Sequence, residues 1–283
     1  MGGINLEESY LDVNGIRTRY REAGSGPEVL LIHGLGSYLE HLQPTFEALA
    51  DHCHVISLDL PGFGLSDKPE LPYSIPFFAD FIQAFMEVKE IPTTCLAGNS
   101  LGGMIAFELC LLAPERVDRL VFLAGGCFNR GLGSSLRLMT LPFVNEGILT
   151  SNREGSEMFL KLLFADPSFV TEEMVDMAHE RMALPGAAKA YLATLRSAGN
   201  LLGMKREVVQ RNLHHAGKIG VPALLIWGKQ DKILPVVHAE IAASRMLDAR
   251  LHVFDPCGHM PQIERAEEVN ELVREFIIRL PED

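Results

Sequence analysis

The stretch Leu96-Ala97-Gly98-Asn99-Ser100-Leu101-Gly102-Gly103 decides the fold of this 283-residue chain. It continues the run from Thr94 to Ala97, which is typical of a short buried strand, and it leads into Met104 to Leu112, which predicts a helix. A serine in the pattern G-x-S-x-G between a strand and a helix lies on a tight, strained turn that exposes its hydroxyl group. The flanking glycines are needed because a Cβ atom at either position would block the approach of neighbouring backbone. The stretch therefore predicts a nucleophilic serine at position 100.

A nucleophilic serine needs N–H donors nearby to stabilise the oxyanion that forms when it attacks a carbonyl group. The N–H of Leu101 lies at the predicted helix start, where the helix dipole favours negative charge. A second donor is expected after the first parallel strand, in His33-Gly34-Leu35-Gly36. We predict that Leu35 provides it, with the N–H of Gly36 as the alternative.

The serine also needs a base, and the base needs a carboxylate to orient it. Along the chain, the expected order is serine, acid and then histidine. His259 follows the last predicted strand and is the predicted base. Asp231 follows the strand before it, at the carboxyl end where ligand sites form in parallel sheets, and is the predicted acid. Asp255 and Glu264 are alternatives, although the first precedes His259 closely and the second begins the approach to the last helix.

Strands alternate with helices on both sides of the serine stretch. Asn14-Gly15 separates two extended segments in Tyr10 to Glu22, which predicts an antiparallel hairpin near the start of the chain. Later apolar runs predict strands at Val29 to Ile32, His54 to Leu60, Thr94 to Ala97, Arg119 to Ala124, Ala223 to Trp227 and Leu251 to Phe254. The alternation predicts an α/β fold with a mostly parallel, doubly wound sheet that helices cover on both faces.

Residues 127–219 interrupt this alternation. They are rich in Leu, Met and Ala and are typical of several helices. Thr171 before two glutamates predicts a helix start, and Pro185-Gly186 predicts a break between helices. We predict a helical lid at 127–219, inserted into a core formed by residues 1–126 and 220–283.

The charge of the chain bears on its partners. The formal net charge is −12 at pH 7, and the sequence contains no run of Lys and Arg. Nucleic acid is not an expected partner, because phosphate backbones require a basic surface. We expect a small-molecule substrate, and homodimerisation stays open.

Cysteine usage and the start of the chain indicate the compartment. The five cysteines are scattered, without a CxxC pair or another spacing of metal ligands, at positions 53, 95, 110, 127 and 257. We expect reduced cysteines and neither a metal nor another cofactor. The segment MGGINLEESY lacks the basic and apolar parts of a signal peptide, and the longest apolar runs are too short to span a bilayer. These features favour a cytoplasmic protein without a membrane anchor.

Five motifs resemble the α/β-hydrolase superfamily along nearly the whole core. They are HGLG at 33–36, LDLPGFGLSDKP at 58–69, GNSLGG at 98–103, WGKQD at 227–231 and CGHMPQIERAEEVN at 257–270. The resemblance implies the α/β-hydrolase fold and acyl transfer, in which Ser100 attacks an ester, His259 protonates the departing alcohol and water hydrolyses the acyl-enzyme. We therefore expect a serine carboxylesterase for small to medium apolar esters. The second motif lacks G-x-G-x-x-G and a Walker lysine, so it predicts a structural turn.

Apolar residues near the predicted site are candidates for the substrate pocket. Besides Leu35 and Leu101, the candidates are Gly36, Phe128, Phe143 and Met260. Phe128 and Phe143 fit the core of the lid equally well.

Two other functions stay open. GNSLGG and the C-G-H segment also resemble carbon–carbon hydrolases that cleave ring-fission products of aromatic catabolism. However, Met260 stands where tryptophan is expected in that group, and HGLG departs from its HGxGPG pattern. The fold also serves as a small-molecule receptor. Haloalkane dehalogenases and epoxide hydrolases of this fold are excluded, since they have aspartate where this chain has Ser100.

Overall fold

The computed structural model describes residues 7–150 and 152–278. The strands are β1 Ser9–Val13, β2 Ile16–Ala23, β3 Glu28–Ile32, β4 His54–Leu58, β5 Thr94–Asn99, β6 Val117–Leu123, β7 Gly199–Asn200, β8 Gly203–Met204, β9 Ala223–Gly228 and β10 Ala249–Phe254. The helices are α1 Gln43–Ala50, α2 Ile75–Val88, α3 Leu101–Leu112, α4 Ser134–Met139, α5 Glu146–Thr150, α6 Arg153–Leu163, α7 Glu172–Ala183, α8 Ala187–Ala198, α9 Arg206–His215, α10 Val237–Arg245, α11 Pro261–Glu264 and α12 Ala266–Ile278. None of these helices is both long and apolar enough to cross a bilayer. No signal peptide is expected in the segment MGGINLEESY, and its first six residues lie outside the described ranges.

Eight of the described strands form one sheet in the order β1-β2-β4-β3-β5-β6-β9-β10. β2 pairs with β1 and with β4 in antiparallel register, and the remaining pairs of this sheet are parallel. The predicted α/β class with a mostly parallel sheet is therefore confirmed. The predicted hairpin is present as β1 and β2, and its turn residues Asn14 and Gly15 both have positive φ.

The inner strands β3, β4, β5 and β9 are buried on both faces, which explains their continuous apolar runs. All residues of β9 are buried, and their side chains alternate between two hydrophobic clusters. Leu225 belongs to the cluster that contains Phe78 of α2 and Phe107 of α3, whereas Leu224 belongs to the cluster that contains Phe276 of α12. Each fully buried side chain of this kind stabilises the fold by roughly 1.5–3 kcal/mol.

The strand order reverses at β3. The chain passes from β3 to β4 on one side of it, and β5 then pairs with the other side. The loops that follow β3 and β5 therefore leave a crevice at the carboxyl end of the sheet, where ligands bind in folds of this type. The HGLG segment and the serine turn both lie there.

The chain leaves the sheet after β6 and returns at β9. Between these strands the described residues form α4 to α9 and a small hairpin of β7 and β8. The predicted helix start is confirmed, because the Thr171 hydroxyl oxygen accepts a hydrogen bond from the Met174 N–H at 3.2 Å. As predicted, α7 ends before Pro185-Gly186 and α8 begins after it. The sequence did not indicate the hairpin, since strands of two residues show no period.

Candidate active site

Ser100 occupies the turn between β5 and α3. Its backbone angles are φ 54° and ψ −114°, which non-glycine residues rarely adopt. The Ser100 N–H donates a hydrogen bond to the carbonyl oxygen of Leu123 on β6, at 3.1 Å. Strained backbone of this kind persists only where the surrounding structure imposes it, and it is concentrated at functional sites.

The backbone packs so closely around this turn that only glycine fits at two positions. A Cβ atom at Gly98 would lie 2.2 Å from the carbonyl carbon of Gly102. A Cβ atom at Gly102 would lie 2.0 Å from the carbonyl oxygen of Ile32 on β3. Such contacts with backbone can be relieved only if α3 moves away from the sheet, because protein interiors are close-packed.

We expect Gly102→Ala to destabilise the protein by about 3 kcal/mol, since overpacking outweighs the better helix propensity of alanine. Chemical denaturation followed by circular dichroism measures this change. Gly220→Ala is the matched control, because a Cβ atom there meets nothing within 4 Å. Equal stability of the two variants would contradict the close approach of α3 to β3.

The predicted base and the predicted acid are in contact. His259 Nδ1 lies 2.7 Å from Asp231 Oδ2, and both side chains are buried. The other carboxylate oxygen, Oδ1, accepts hydrogen bonds from the N–H groups of Ile233 and Leu234 at 2.8 and 2.9 Å. Asp231 is thus held as an acceptor, which assigns the His259 proton to Nδ1 and the lone pair to Nε2.

The alternative acids are engaged elsewhere. Asp255 is 48% exposed and forms an ion pair with Lys229 at 2.6 Å. The hydrogen bond from Lys229 lowers the pKa of this carboxyl group. Glu264 accepts hydrogen bonds from two backbone N–H groups at 2.7 and 2.9 Å. Asp231 is therefore the acid that the fold brings to the His259 ring.

Asn99 connects the serine turn to the histidine loop, a contact that the sequence did not indicate. Its side chain is buried, and Nδ2 donates hydrogen bonds to the carbonyl oxygens of Leu123 at 2.8 Å and His259 at 3.3 Å. The N–H of His259 also donates to the Leu163 carbonyl oxygen at 2.6 Å. These bonds fix the backbone of His259 relative to Ser100.

The HGLG loop after β3 packs directly against the serine. A Cβ atom at Gly34 would lie 3.1 Å from the Cβ atom of Ser100. The buried ring of His33 fixes the loop, since Nε2 accepts a hydrogen bond from the Leu60 N–H at 2.9 Å and Nδ1 donates to the Gly34 carbonyl oxygen at 2.8 Å. Burial lowers the pKa of His33, which agrees with a neutral ring. The loop that carries the predicted donor Leu35 is thus held next to Ser100.

The LDLPGFGLSD segment is hydrogen-bonded to the chain that follows the HGLG loop. Asp59 is fully buried and accepts hydrogen bonds from the N–H groups of Leu39 at 2.9 Å and Leu65 at 2.8 Å. The Arg19 guanidinium lies 3.1 Å from the same carboxylate. These contacts tie the chain that follows the HGLG loop to the neighbouring turn, which is the structural role predicted for this motif.

Ser100 and His259 line one cavity of about 600 Å³. Its walls come from the HGLG loop, α3 and the segment 127–219, and they consist mostly of Leu, Ile, Met, Val and Phe side chains. Besides Ser100 and His259, the polar side chains of the wall are Ser37, His41, Asn99, Ser135, Asn152, Ser156, Tyr191 and Thr194. The wall contains no Lys, Arg, Asp or Glu among the residues that the structure describes.

His41 adds no charge to this wall at neutral pH. Its ring is buried, with Nδ1 2.6 Å from the Ser37 hydroxyl oxygen, and burial lowers its pKa to about 4. An anionic group is costly to bury without a cationic partner. The cavity therefore favours neutral, apolar ligands.

The predicted pocket residues have different positions. Leu35, Gly36, Leu101 and Met260 line the cavity. Phe143 lines its mouth and is 70% exposed. The prediction for Phe128 is corrected: its side chain is buried in the core, edge-on to Phe107 with ring centroids 5.1 Å apart, behind the cavity rather than in its wall.

His238 holds the start of the segment 127–219, and the sequence did not single it out. Its buried ring stacks with Trp227, and Nδ1 accepts hydrogen bonds from the N–H groups of Phe128 and Asn129 at 3.2 and 3.3 Å. Nε2 donates to the Gly131 carbonyl oxygen at 2.8 Å. Burial lowers the pKa of His238, so this ring is neutral as well. A single histidine in a helical pattern gives no signal for such long-range contacts.

The described part of the chain contains no cluster of three or more side chains that could hold a metal ion. All five cysteines are free and buried. Burial raises the pKa of Cys257, near the histidine loop, to about 12, so its thiol is protonated at neutral pH. The chemistry that the described site offers is that of a serine, an oriented histidine and backbone donors.

Comparison with known proteins establishes the family. A family model described as the alpha/beta hydrolase fold matches residues 27–266. The chain belongs to the α/β-hydrolase family. This α/β-hydrolase is 33% identical over 272 residues to the dihydrolipoyllysine-residue acetyltransferase component of the acetoin cleaving system from Cupriavidus necator, a match that covers 95% of this chain and 68% of the relative.

Two solved structures extend this comparison. A meta-cleavage product hydrolase from Pseudomonas fluorescens IP01 is 28% identical, with a TM-score of 0.81 and coverage of 95% of this chain and 96% of the other. A bacterial membrane phospholipase A is 27% identical, with a TM-score of 0.79 and coverage of 97% and 86%. Membership of this family supports a hydrolase. The relatives carry the names of different activities, so the comparison leaves open which bond this α/β-hydrolase cleaves.

Proposed function

We propose that this α/β-hydrolase is a serine carboxylesterase for esters with small to medium apolar acyl groups. The observation that carries the proposal is that Ser100 and His259 line one apolar cavity, with Asp231 in contact with the His259 ring. A cavity of about 600 Å³ is within the range of small-molecule sites. The segment 127–219 acts as the lid of this cavity, and the proposed location of the protein is the cytoplasm.

In the proposed first step, Ser100 Oγ attacks the ester carbonyl carbon and passes its proton to His259 Nε2. Asp231 stabilises the imidazolium that forms, through the hydrogen bond to Nδ1. The N–H groups of Leu35 and Leu101 stabilise the oxyanion. His259 then gives the proton to the departing alkoxide, so that the alcohol leaves and the acyl group stays on Ser100.

In the proposed second step, water attacks the acyl-enzyme. His259 Nε2 takes a proton from this water, and the resulting oxyanion occupies the same two N–H donors. Collapse of the intermediate releases the carboxylic acid and returns the proton to Ser100 Oγ. The apolar wall of the cavity favours a neutral ester over the anionic acid, so the acid product is expected to bind more weakly than the ester substrate.

A carbon–carbon hydrolase is the second candidate function. It is supported by the likeness to a meta-cleavage product hydrolase over almost the full length of both chains. A ring-fission dienoate carries a carboxylate, however, and the described cavity wall offers it no Lys or Arg. Burying this carboxylate without a cationic partner is unfavourable, and for this reason we propose an ester rather than a dienoate as the substrate.

The test compares initial rates on p-nitrophenyl esters of increasing acyl length with the rate on a ring-fission dienoate. We expect kcat/KM for the esters to rise by about fourfold per methylene group until the acyl chain fills the cavity, because each buried methylene contributes about 0.8 kcal/mol. The dienoate is expected to react far more slowly.

Ser100→Ala is the control for both substrates, because either reaction is expected to depend on Ser100. Dienoate cleavage well above ester hydrolysis would make the protein a carbon–carbon hydrolase. Absence of both activities would contradict the esterase and favour the receptor that the fold also allows.

A further inference from the structure

The segment 127–219 exposes large apolar side chains around the mouth of the cavity. Five of the exposed apolar side chains in this segment, Leu138, Phe143, Ile148, Leu201 and Leu202, are here called the apolar rim. The first three also line the cavity, so the exposed apolar surface continues into the substrate site. Contiguous exposed apolar surface marks a site of interaction with another molecule or with a membrane.

One part of the rim is the tip of the β7–β8 hairpin, formed by Leu201 and Leu202, which are 45% and 71% exposed. Arg137 Nε donates a hydrogen bond to the Leu201 carbonyl oxygen at 2.9 Å, and Arg130 Nη2 donates to that of Leu202 at 3.5 Å. The Leu202 N–H donates to Asn200 Oδ1 at 2.9 Å. The tip can therefore enter an apolar medium with these backbone groups already paired, which removes the main cost of burying a turn in lipid.

A third arginine holds another part of the rim. Arg196 Nη2 donates hydrogen bonds to the carbonyl oxygens of Leu141 and Val144 at 2.7 and 2.6 Å, on either side of Phe143. The guanidinium groups of Arg130, Arg137 and Arg196 thus contact the backbone of the segments that carry the exposed leucine and phenylalanine side chains.

The charge around the rim is opposite in sign to that of the whole chain. Residues 127–145 and 187–206 contain no Asp or Glu, although the chain carries a net charge of −12. They contain six basic residues, which are Arg130, Arg137, Lys189, Arg196, Lys205 and Arg206. Lys189 pairs with Glu70 outside these ranges. The acids that adjoin the ranges are Glu146, which lines a surface cleft together with Lys189 and Arg196, and Glu207. At the tip of the β7–β8 hairpin, Arg130 and Arg137 therefore place positive charge beside exposed apolar side chains.

We infer that the apolar rim is a docking surface for an anionic phospholipid bilayer. Apolar tips would enter the boundary of the acyl chains, and the arginines behind them would lie at the depth of the phosphate groups. A second copy of this chain fits less well, because a two-fold contact would bring two sets of rim arginines together. Docking in this way presents the cavity mouth to apolar molecules dissolved in the bilayer. The inference holds whether or not Ser100 cleaves esters.

The test is flotation with vesicles of phosphatidylglycerol and phosphatidylcholine, and with vesicles of phosphatidylcholine alone. We expect the wild-type protein to bind the anionic vesicles and 1 M NaCl to weaken this binding by screening. The double variant Leu201→Ser, Leu202→Ser should lower the partition coefficient on the order of tenfold or more. Neither leucine lines the cavity, so hydrolysis of a water-soluble ester should not change.

Leu247→Ser is the matched control. Leu247 is 75% exposed, close to the 71% of Leu202, and it precedes β10 at the end of the sheet opposite the cavity. This variant should bind vesicles like the wild type, and so should Ser100→Ala, which separates this inference from the proposed activity. An unchanged melting temperature shows that the double variant is folded, and Leu202→Ser alone provides a milder version of the same change.

Three results would overturn the inference. The first is a wild-type protein that stays unbound with anionic vesicles, and the second is equal binding by the double variant. The third is a wild-type dimer that dissociates in the double variant without any vesicle binding, which would assign the rim to a second copy of the chain.

Discussion

Ser100→Ala is expected to lower kcat for ester hydrolysis on the order of 10⁶-fold, because the proposed mechanism forms the acyl-enzyme on this hydroxyl group. The strained turn places this hydroxyl group at the cavity, and the HGLG loop packs against it. Initial rates with the preferred p-nitrophenyl ester measure the effect. A fluorophosphonate should label the wild-type protein once per chain and should leave the variant unlabelled.

Ser135→Ala is the matched control, since Ser135 lines the same cavity from α4. It should keep both the activity and the labelling of the wild type. Labelling that persists in Ser100→Ala would show that another residue is the nucleophile, and the proposed mechanism would then fail at its first step.

The core of the fold could be predicted because its signals are local. The serine turn needs a strand, two glycines and a helix within a few residues, and each of these features is visible in the sequence. The loops after parallel strands converge at one edge of the sheet, so the positions of Asp231 and His259 follow from the strand order. Strand ends were less well predicted, since β4 ends at Leu58 rather than at Leu60.

The segment 127–219 shows where the sequence stops being informative. Its helices are visible from composition, but apolar periodicity does not say which neighbour an apolar side chain packs against. From the sequence, Phe128 and Phe143 are equally good candidates for the pocket. In the structure, Phe128 is buried against Phe107 and Phe143 is exposed at the mouth of the cavity. Tertiary packing separates them, and tertiary packing has no local pattern.

The polar residues that support the site are invisible for a related reason. Asn99 reaches the backbone of His259, and His238 reaches Gly131, in each case across more than a hundred residues. A side chain that bonds to distant backbone has no spacing to reveal it. Asn99 does adjoin the serine, so its position in GNSLGG is the one signal that could have drawn attention to it.

Asp231→Asn is expected to lower kcat on the order of 10⁴-fold, as the analogous change does in a known serine–histidine–aspartate triad. The physical reason lies in the hydrogen bonds of the carboxylate. Its Oδ1 accepts from the N–H groups of Ile233 and Leu234, so in the variant the amide oxygen stays on that side and the NH₂ group faces His259. Nδ1 must then accept a hydrogen bond, which moves the ring proton to Nε2.

With a proton on Nε2, His259 can no longer accept the proton of Ser100, so the variant should react slowly with the ester and with the fluorophosphonate alike. The fold should be retained, because the amide replaces the carboxylate with almost the same shape. Asp255→Asn is the matched control, since that half-exposed acid lies in the same loop region and pairs with Lys229. Wild-type activity in Asp231→Asn, together with a loss of activity in Asp255→Asn, would transfer the orienting role to Asp255 despite its distance from the buried pair.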